Sequence, residues 1–91
     1  MDYYVYIIQS EKFGILYKGY TASPELRLLE HNSDHSRYTA GKGPWKIVYL
    51  EKMKDKRAAL IRERKLKKAN SSYIKWLIYQ DSNIVKNQNL E

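Results

Sequence analysis

The apolar positions of this chain fall into three strand-like runs and three helix-like ones. The run "DYYVYIIQS", residues 2–10, is rich in aromatic and β-branched residues and reads as a strand. "EKFG" supplies a turn, and "ILYKGYT", residues 15–21, pairs back to complete an antiparallel hairpin. Gly19 lies inside that second strand, where a glycine weakens pairing and often marks a bulge or a close approach. "SPELRLLEHN" carries helix-start signals: Ser23 as N-cap, Pro24 in the first turn and Glu25 near the positive end of the dipole. Leu26 and Leu29 are expected to pack on the sheet. Residues 33–44 are polar, contain Gly41, Gly43 and Pro44, and read as a loop. "WKIVYLEKM" alternates as a third strand. Asp55 is placed to cap a helix running to about Ala69. Asn70, Ser71 or Ser72 then opens a last helix, "YIKWLIYQ", with Ile74, Leu77 and Ile78 at core spacing.

The order β-β-α-β-α-α predicts an α+β fold with one small three-stranded, mainly antiparallel sheet flanked by helices. At 91 residues there is room for one core, expected over residues 1–82. Residues 83–91, ending in "NQNLE", are expected to form a disordered C-terminal tail. A hydrophobic content of 43% suffices for folding. There is no cysteine, which excludes disulfides and thiolate metal sites and suits a reducing cytoplasm. No apolar run approaches the roughly 18 residues of a membrane span. The expectation is a soluble, cytoplasmic protein with no membrane partner.

Charge adds a partner. The net charge is +7, and Lys52 to Lys68 holds nine of the 17 basic residues against two acids, Asp55 and Glu63. Such a stretch suits a polyanion, most often nucleic acid, although a merely solvated helix face has the same composition.

Three features carry candidate chemistry. First, tyrosine fills apolar positions on both hairpin strands, and each buried phenol requires a hydrogen-bond partner that valine or leucine would not. Second, Arg27 and His31 stand at i and i+4 and share a helix face; a guanidinium pairs with phosphate, and an imidazole titrates near neutral pH. Third, Glu63 lies between Leu60 on one side and Ala59 and Leu66 on the other, so it faces the core or its rim. A carboxylate there needs a cation, either a basic side chain or a hard divalent ion. Together these groups have the chemistry of metal-assisted phosphodiester hydrolysis.

Tyr4-Val5-Tyr6, then ten residues, then Tyr17-Lys18-Gly19 resembles the two-part signature of the GIY-YIG nuclease superfamily. Arg27 and His31 in the following helix, and Glu63 in "AALIRERKLK", extend the resemblance. His31-Asn32, Tyr38-Thr39, Gly41, Pro44 and Val48-Tyr49 match the run of its small stand-alone bacterial branch, the UPF0213-like proteins. The resemblance covers about residues 3–80. Tyr4 stands where the signature has glycine, Lys18 where it has an apolar residue, and Leu26-Arg27 where many members have two arginines. It implies an endonuclease acting on DNA, branched or damaged structures included, with Mg²⁺ or Mn²⁺ held by Glu63. Tyr17 is then the expected base, supported by Tyr6, Arg27 and His31, with Tyr6 also touching the phosphate. Lys18, Lys65, Lys67 and Lys68 are expected to bind the nucleic acid. A module of the same fold that binds without cutting, and a domain whose specificity comes from a protein partner, are the alternatives. All five of Tyr6, Tyr17, Arg27, His31 and Glu63 being present favours the enzyme.

Overall fold

The computed structural model describes residues 2–85. Strands β1 (Tyr3–Ser10) and β2 (Leu16–Thr21) are followed by helix α1 (Pro24–Asn32), strand β3 (Trp45–Met53) and helices α2 (Lys56–Lys68) and α3 (Ser71–Ile78). This is the expected α+β order. The strands form one antiparallel sheet in the order β2-β1-β3. The most apolar strand, β1, takes the centre, where both faces are covered.

Alternation along β1 divides the core in two. Val5 and Ile7 pack with Tyr49, Ala59, Leu66, Ile74 and Leu77 beneath α2 and α3. Tyr6 and Ile8 face the other way, with Trp45, Leu50 and Leu28 of α1. Strict alternation in β3 would put Ile47 and Tyr49 on one face. A register irregularity opposite Ile7 and Ile8 prevents this, so Ile47 lies on the α1 side while Val48 and Tyr49 both serve the other. One extra residue in a strand does this.

The outer edge of β3 is closed by Asn83. Its Oδ1 accepts from the Leu50 and Val85 amides, each at 3.1 Å. Its Nδ2 donates to the Val48 and Ile78 carbonyls, each at 2.8 Å. The amide thus uses both donors and both acceptor sites and stands where a further strand would pair. The tail expected from residue 83 therefore starts too early: Asn83 is buried, and Ile84 and Val85 pack against the α1-side core. The rest of that expected tail, residues 86–91, lies outside the described residues.

The helix caps follow the sequence in two cases of three. Asp55 accepts from the Ala58 amide at 2.8 Å, and Asn70 from the Tyr73 amide at 2.8 Å. Ser23 occupies the N-cap position of α1 without a side-chain cap bond; its amide donates to Thr21 Oγ1 instead. The rotation of α1 is a second correction. Leu26 and Leu29 are 54% and 61% exposed, whereas Leu28 and His31 face the sheet. Arg27, Leu28 and His31 fall within about 100° of arc at 100° per residue. That arc turns inward because His31 finds polar partners there, leaving the leucine pair to solvent.

Asn83→Ala should cost about 2–4 kcal/mol, because it strands the buried Leu50 amide and the Val48 carbonyl. A thermal melt should show a midpoint lower by about 10 °C or more. An unchanged midpoint would mean that water replaces the amide at no cost.

Candidate active site

Tyr6 is central. The register pairs Tyr6 with Gly19 and Ile8 with Tyr17, so both tyrosines project from one face of the sheet. Gly19 is where the Tyr6 ring lies: a β-carbon there would stand 2.6 Å from Tyr6 Cζ. The close approach anticipated at this glycine is made by the protein's own phenol. The Tyr6 side chain is buried, and its hydroxyl is bonded to His31 Nε2 at 2.9 Å. His31 Nδ1 bonds Thr39 Oγ1 at 2.7 Å. The Trp45 indole donates to the Thr39 carbonyl at 3.2 Å, fixing the loop that carries Thr39. A neutral imidazole offers one donor and one acceptor, so in either tautomer both nitrogens are satisfied by these two hydroxyls.

The burial of this chain sets its protonation. Burial pushes the Tyr6 phenol up to about 12, although the Arg27 guanidinium beside it pulls the other way. Burial also pushes His31 down to about 4, reinforced by the positive charge of Arg27 and opposed by Glu30. The imidazole expected to titrate near neutral pH is thus wholly covered, and its burial favours the neutral ring. Arg27 itself is half-buried, its Nη1 donating to Glu30 Oε1 at 2.9 Å.

The accessible groups lie above this layer. Tyr17 is half-buried, with its ring centroid 5.3 Å from those of His31 and Tyr38 and 6.5 Å from that of Tyr6. A cleft of about 380 Å³ is lined by Leu16, Tyr17, Lys18, Tyr38 and Lys67. Tyr17 and Lys18 are consecutive in a strand and point to opposite faces. The cleft therefore wraps the free edge of β2, with the Tyr6–His31 layer on one side and α2 on the other.

Glu63 approaches from that second side. It is 8% exposed, its Oε2 is 3.4 Å from Lys67 Nζ, and its charge is close enough to bear on Tyr6. Among the described residues no group of three or more His, Asp and Glu side chains converges. The donor set is one carboxylate beside an open cleft. That fits a hard divalent ion completed by water and phosphate oxygens, and fits no all-protein cage.

The structure thus brings Tyr6, Tyr17, Arg27 and His31 together, with Lys18, Lys67 and Glu63 across the β2 edge. Lys65 and Lys68 are exposed but lie about 200° and 140° around α2 from Glu63, so any phosphate they meet lies outside the cleft. Sequence reasoning gave no role to Thr39 or Tyr38, or to the loop at 33–44 beyond connection. That loop holds one end of the buried chain and a wall of the cleft. The available signal was the Tyr38-Thr39 pair of the family run, in a chain whose histidine needed a partner.

The GIY-YIG catalytic domain family model matches residues 2–86. A UPF0213 protein of Clostridium perfringens is 39% identical over 97% of this chain and 92% of its own length. Another, from Syntrophus aciditrophicus, is 40% identical over 86% of this chain and 91% of its own. The solution NMR structure of the UPF0213 protein BH0048 from Bacillus halodurans superposes with a TM-score of 0.60 at 28% identity, covering 98% of this chain and 95% of that one. With its hairpin tyrosines, its α1 arginine and histidine and its α2 glutamate on this fold, the chain belongs to the GIY-YIG catalytic domain family.

Proposed function

We propose that the protein is a divalent-metal-dependent endonuclease that hydrolyses phosphodiester bonds in DNA, branched or damaged structures included. One observation carries the proposal: Tyr17, Lys18 and Lys67 line an open cleft, with the buried Tyr6–His31 pair and half-buried Arg27 on one side and, paired with Lys67, the Glu63 carboxylate on the other. Glu63 would hold Mg²⁺ or Mn²⁺, which supplies charge stabilisation at the phosphate and leaving oxygen.

The chain's own residues then divide the work. Lys18 and Lys67 attract the phosphate to the β2 edge. Arg27 steadies the negative charge that develops on the phosphoryl oxygens. Tyr17 meets the attacking water. Its hydroxyl orients that water while the new P–O bond forms and the bond to the leaving sugar oxygen breaks; the water's proton passes to solvent, and solvent protonates the leaving oxygen. Tyr6 is only 3% exposed, so supporting the site replaces the direct phosphate contact expected of it. Its phenol holds His31 and braces the floor beneath Tyr17.

The Glu63–Lys67 pair favours a second reading, a nucleic-acid-binding module in which Lys67 neutralises the carboxylate. Plasmid nicking with Mg²⁺ or Mn²⁺ separates the two. Under the nuclease reading, Glu63→Gln and Arg27→Ala bind DNA nearly as well as wild type and lose cleavage by roughly two orders of magnitude or more. DNA binding without any metal-dependent nicking, unchanged in Glu63→Gln, would leave the binding module.

Lysine variants locate the DNA. Lys18→Ala should weaken binding and flatten the slope of log affinity against log salt by about one for each lost phosphate contact. Lys65→Ala with Lys68→Ala should reduce affinity without altering the cleavage rate at saturating DNA. Salt-dependent binding isotherms beside single-turnover rates read both quantities. A loss of saturated rate in the Lys65/Lys68 double variant would place the scissile phosphate on the wrong side of α2.

The buried imidazole gives a pH signature. Its folded value, about 4, lies below the ordinary 6.5, so the unfolded chain binds the extra proton first. The stabilising contribution is full above about pH 6.5 and is lost as pH falls towards 4, by an amount on the order of 3 kcal/mol. Urea midpoints from pH 7.5 to 4.5 should fall in wild type and fall less in His31→Gln. Parallel slopes would show that His31 is not held neutral.

A further inference from the structure

Arg62 and Glu63 are neighbours on α2, about 100° apart around the helix, and they serve different ends. Glu63 pairs with Lys67, which lines the cleft. Arg62 reaches the sheet, where its Nε donates to Glu51 Oε1 at 2.9 Å. The same oxygen accepts the hydroxyl of buried Tyr49 at 2.7 Å. The cluster takes no part in the chemistry above, and the opposite sheet face separates it from Tyr6 and His31.

We propose that Tyr49, Glu51 and Arg62 form a positioning device for the Glu63 carboxylate. They fix the rotation of α2 about its own axis, and so fix where Glu63 meets a divalent ion. The inference rests on Glu63 being the metal carboxylate. The apolar contacts of α2 cannot set that angle alone. Its fully buried apolar residues are Ala59 and Leu66, and seven of its 13 residues are basic. Ala58 and Leu60 are only partly buried, and a helix with so narrow a buried apolar stripe resists lifting better than it resists turning. The oxygen of Glu51 supplies the missing restraint, because Tyr49 anchors it from the strand and Arg62 from the helix.

The magnitudes make the restraint matter. A carboxylate rides roughly 5–6 Å from the helix axis, so a turn of about 10° carries it about 1 Å. Metal–oxygen distances tolerate only about 0.2 Å. A rotation too small to disturb the core is therefore large at the metal. Stability behaves differently, since a partly exposed ion pair adds little to it. The signature of a positioning role is thus a large change in metal affinity with a small change in melting temperature.

Five forms of the full chain test this: wild type, Glu51→Gln, Arg62→Gln, their double variant, and Arg62→Lys. Glu51→Gln keeps the shape and still accepts the Tyr49 hydroxyl. Mn²⁺ is titrated while the broadening of amide signals around residue 63 is followed by NMR, with melting temperature measured in parallel. Each single glutamine variant should weaken Mn²⁺ binding by about tenfold, and the double variant no more than the worse single, because the cluster acts as one unit. Arg62→Lys should recover part of the loss, with melting temperatures within a few degrees throughout. Variants that titrate like wild type, or single effects that multiply in the double, overturn the proposal. If wild type itself shows no Mn²⁺ broadening near residue 63, the metal reading of Glu63 falls and the positioning role with it. That result is distinct from equal binding by all five forms.

Discussion

The hydrogen bond between the Tyr6 hydroxyl and His31 Nε2 joins the central strand to the first helix inside the core. Much of the surrounding architecture follows from it. A phenol on the middle strand of a small sheet must have a partner, since an unsatisfied buried hydroxyl costs about 1–3 kcal/mol. His31 supplies it, and needs Thr39 for its other nitrogen. Thr39 is then held by Trp45 at the start of β3. The phenol also needs room, which Gly19 provides. Strand, helix, loop and neighbouring strand are thereby tied at one buried point, directly beneath Tyr17 and the cleft.

The cleft sits at a free edge of the sheet, and that placement lets two unlike environments meet. On one side lies a covered, neutral layer in which burial raises the phenol and lowers the imidazole. On the other lies α2, predominantly basic, with one carboxylate turned inward. Groups fixed by packing do not have to reorganise when charge develops at a bound phosphate. Lysines at the rim attract the polyanion but are long and mobile, so they are suited to affinity more than to geometry. The pairing of Lys67 with Glu63 places these two roles within one turn of helix.

The element order was legible because each run carries a local signal. β-branched and aromatic residues marked the strands, and Asp55 and Asn70 marked two helix starts that the structure bears out. The shared face of Tyr6 and Tyr17 follows from strand alternation once the hairpin is paired. What stayed hidden depends on contacts distant in sequence. Leu26 and Leu29 have the spacing of an inward stripe, yet α1 turns its other side inward because His31 bonds to groups 25 residues before it and eight after it. Asn83 looked like the start of a tail because nothing local says that a strand edge awaits its amide. The same blindness hid the burial of His31, expected only as a titratable partner of Arg27 on one helix face, yet wholly covered.

The protonation state of His31 tests this account most directly. Its ring nitrogens can be observed by ¹⁵N NMR across pH 7.5 to 5 in wild type and in Tyr6→Phe. The account predicts one protonated and one unprotonated ring nitrogen in wild type across that whole range, with the onset of titration moving in Tyr6→Phe as one of the two hydroxyl partners is lost. An imidazole in wild type that gains its second proton near pH 6.5, as a solvent-exposed histidine does, would contradict it.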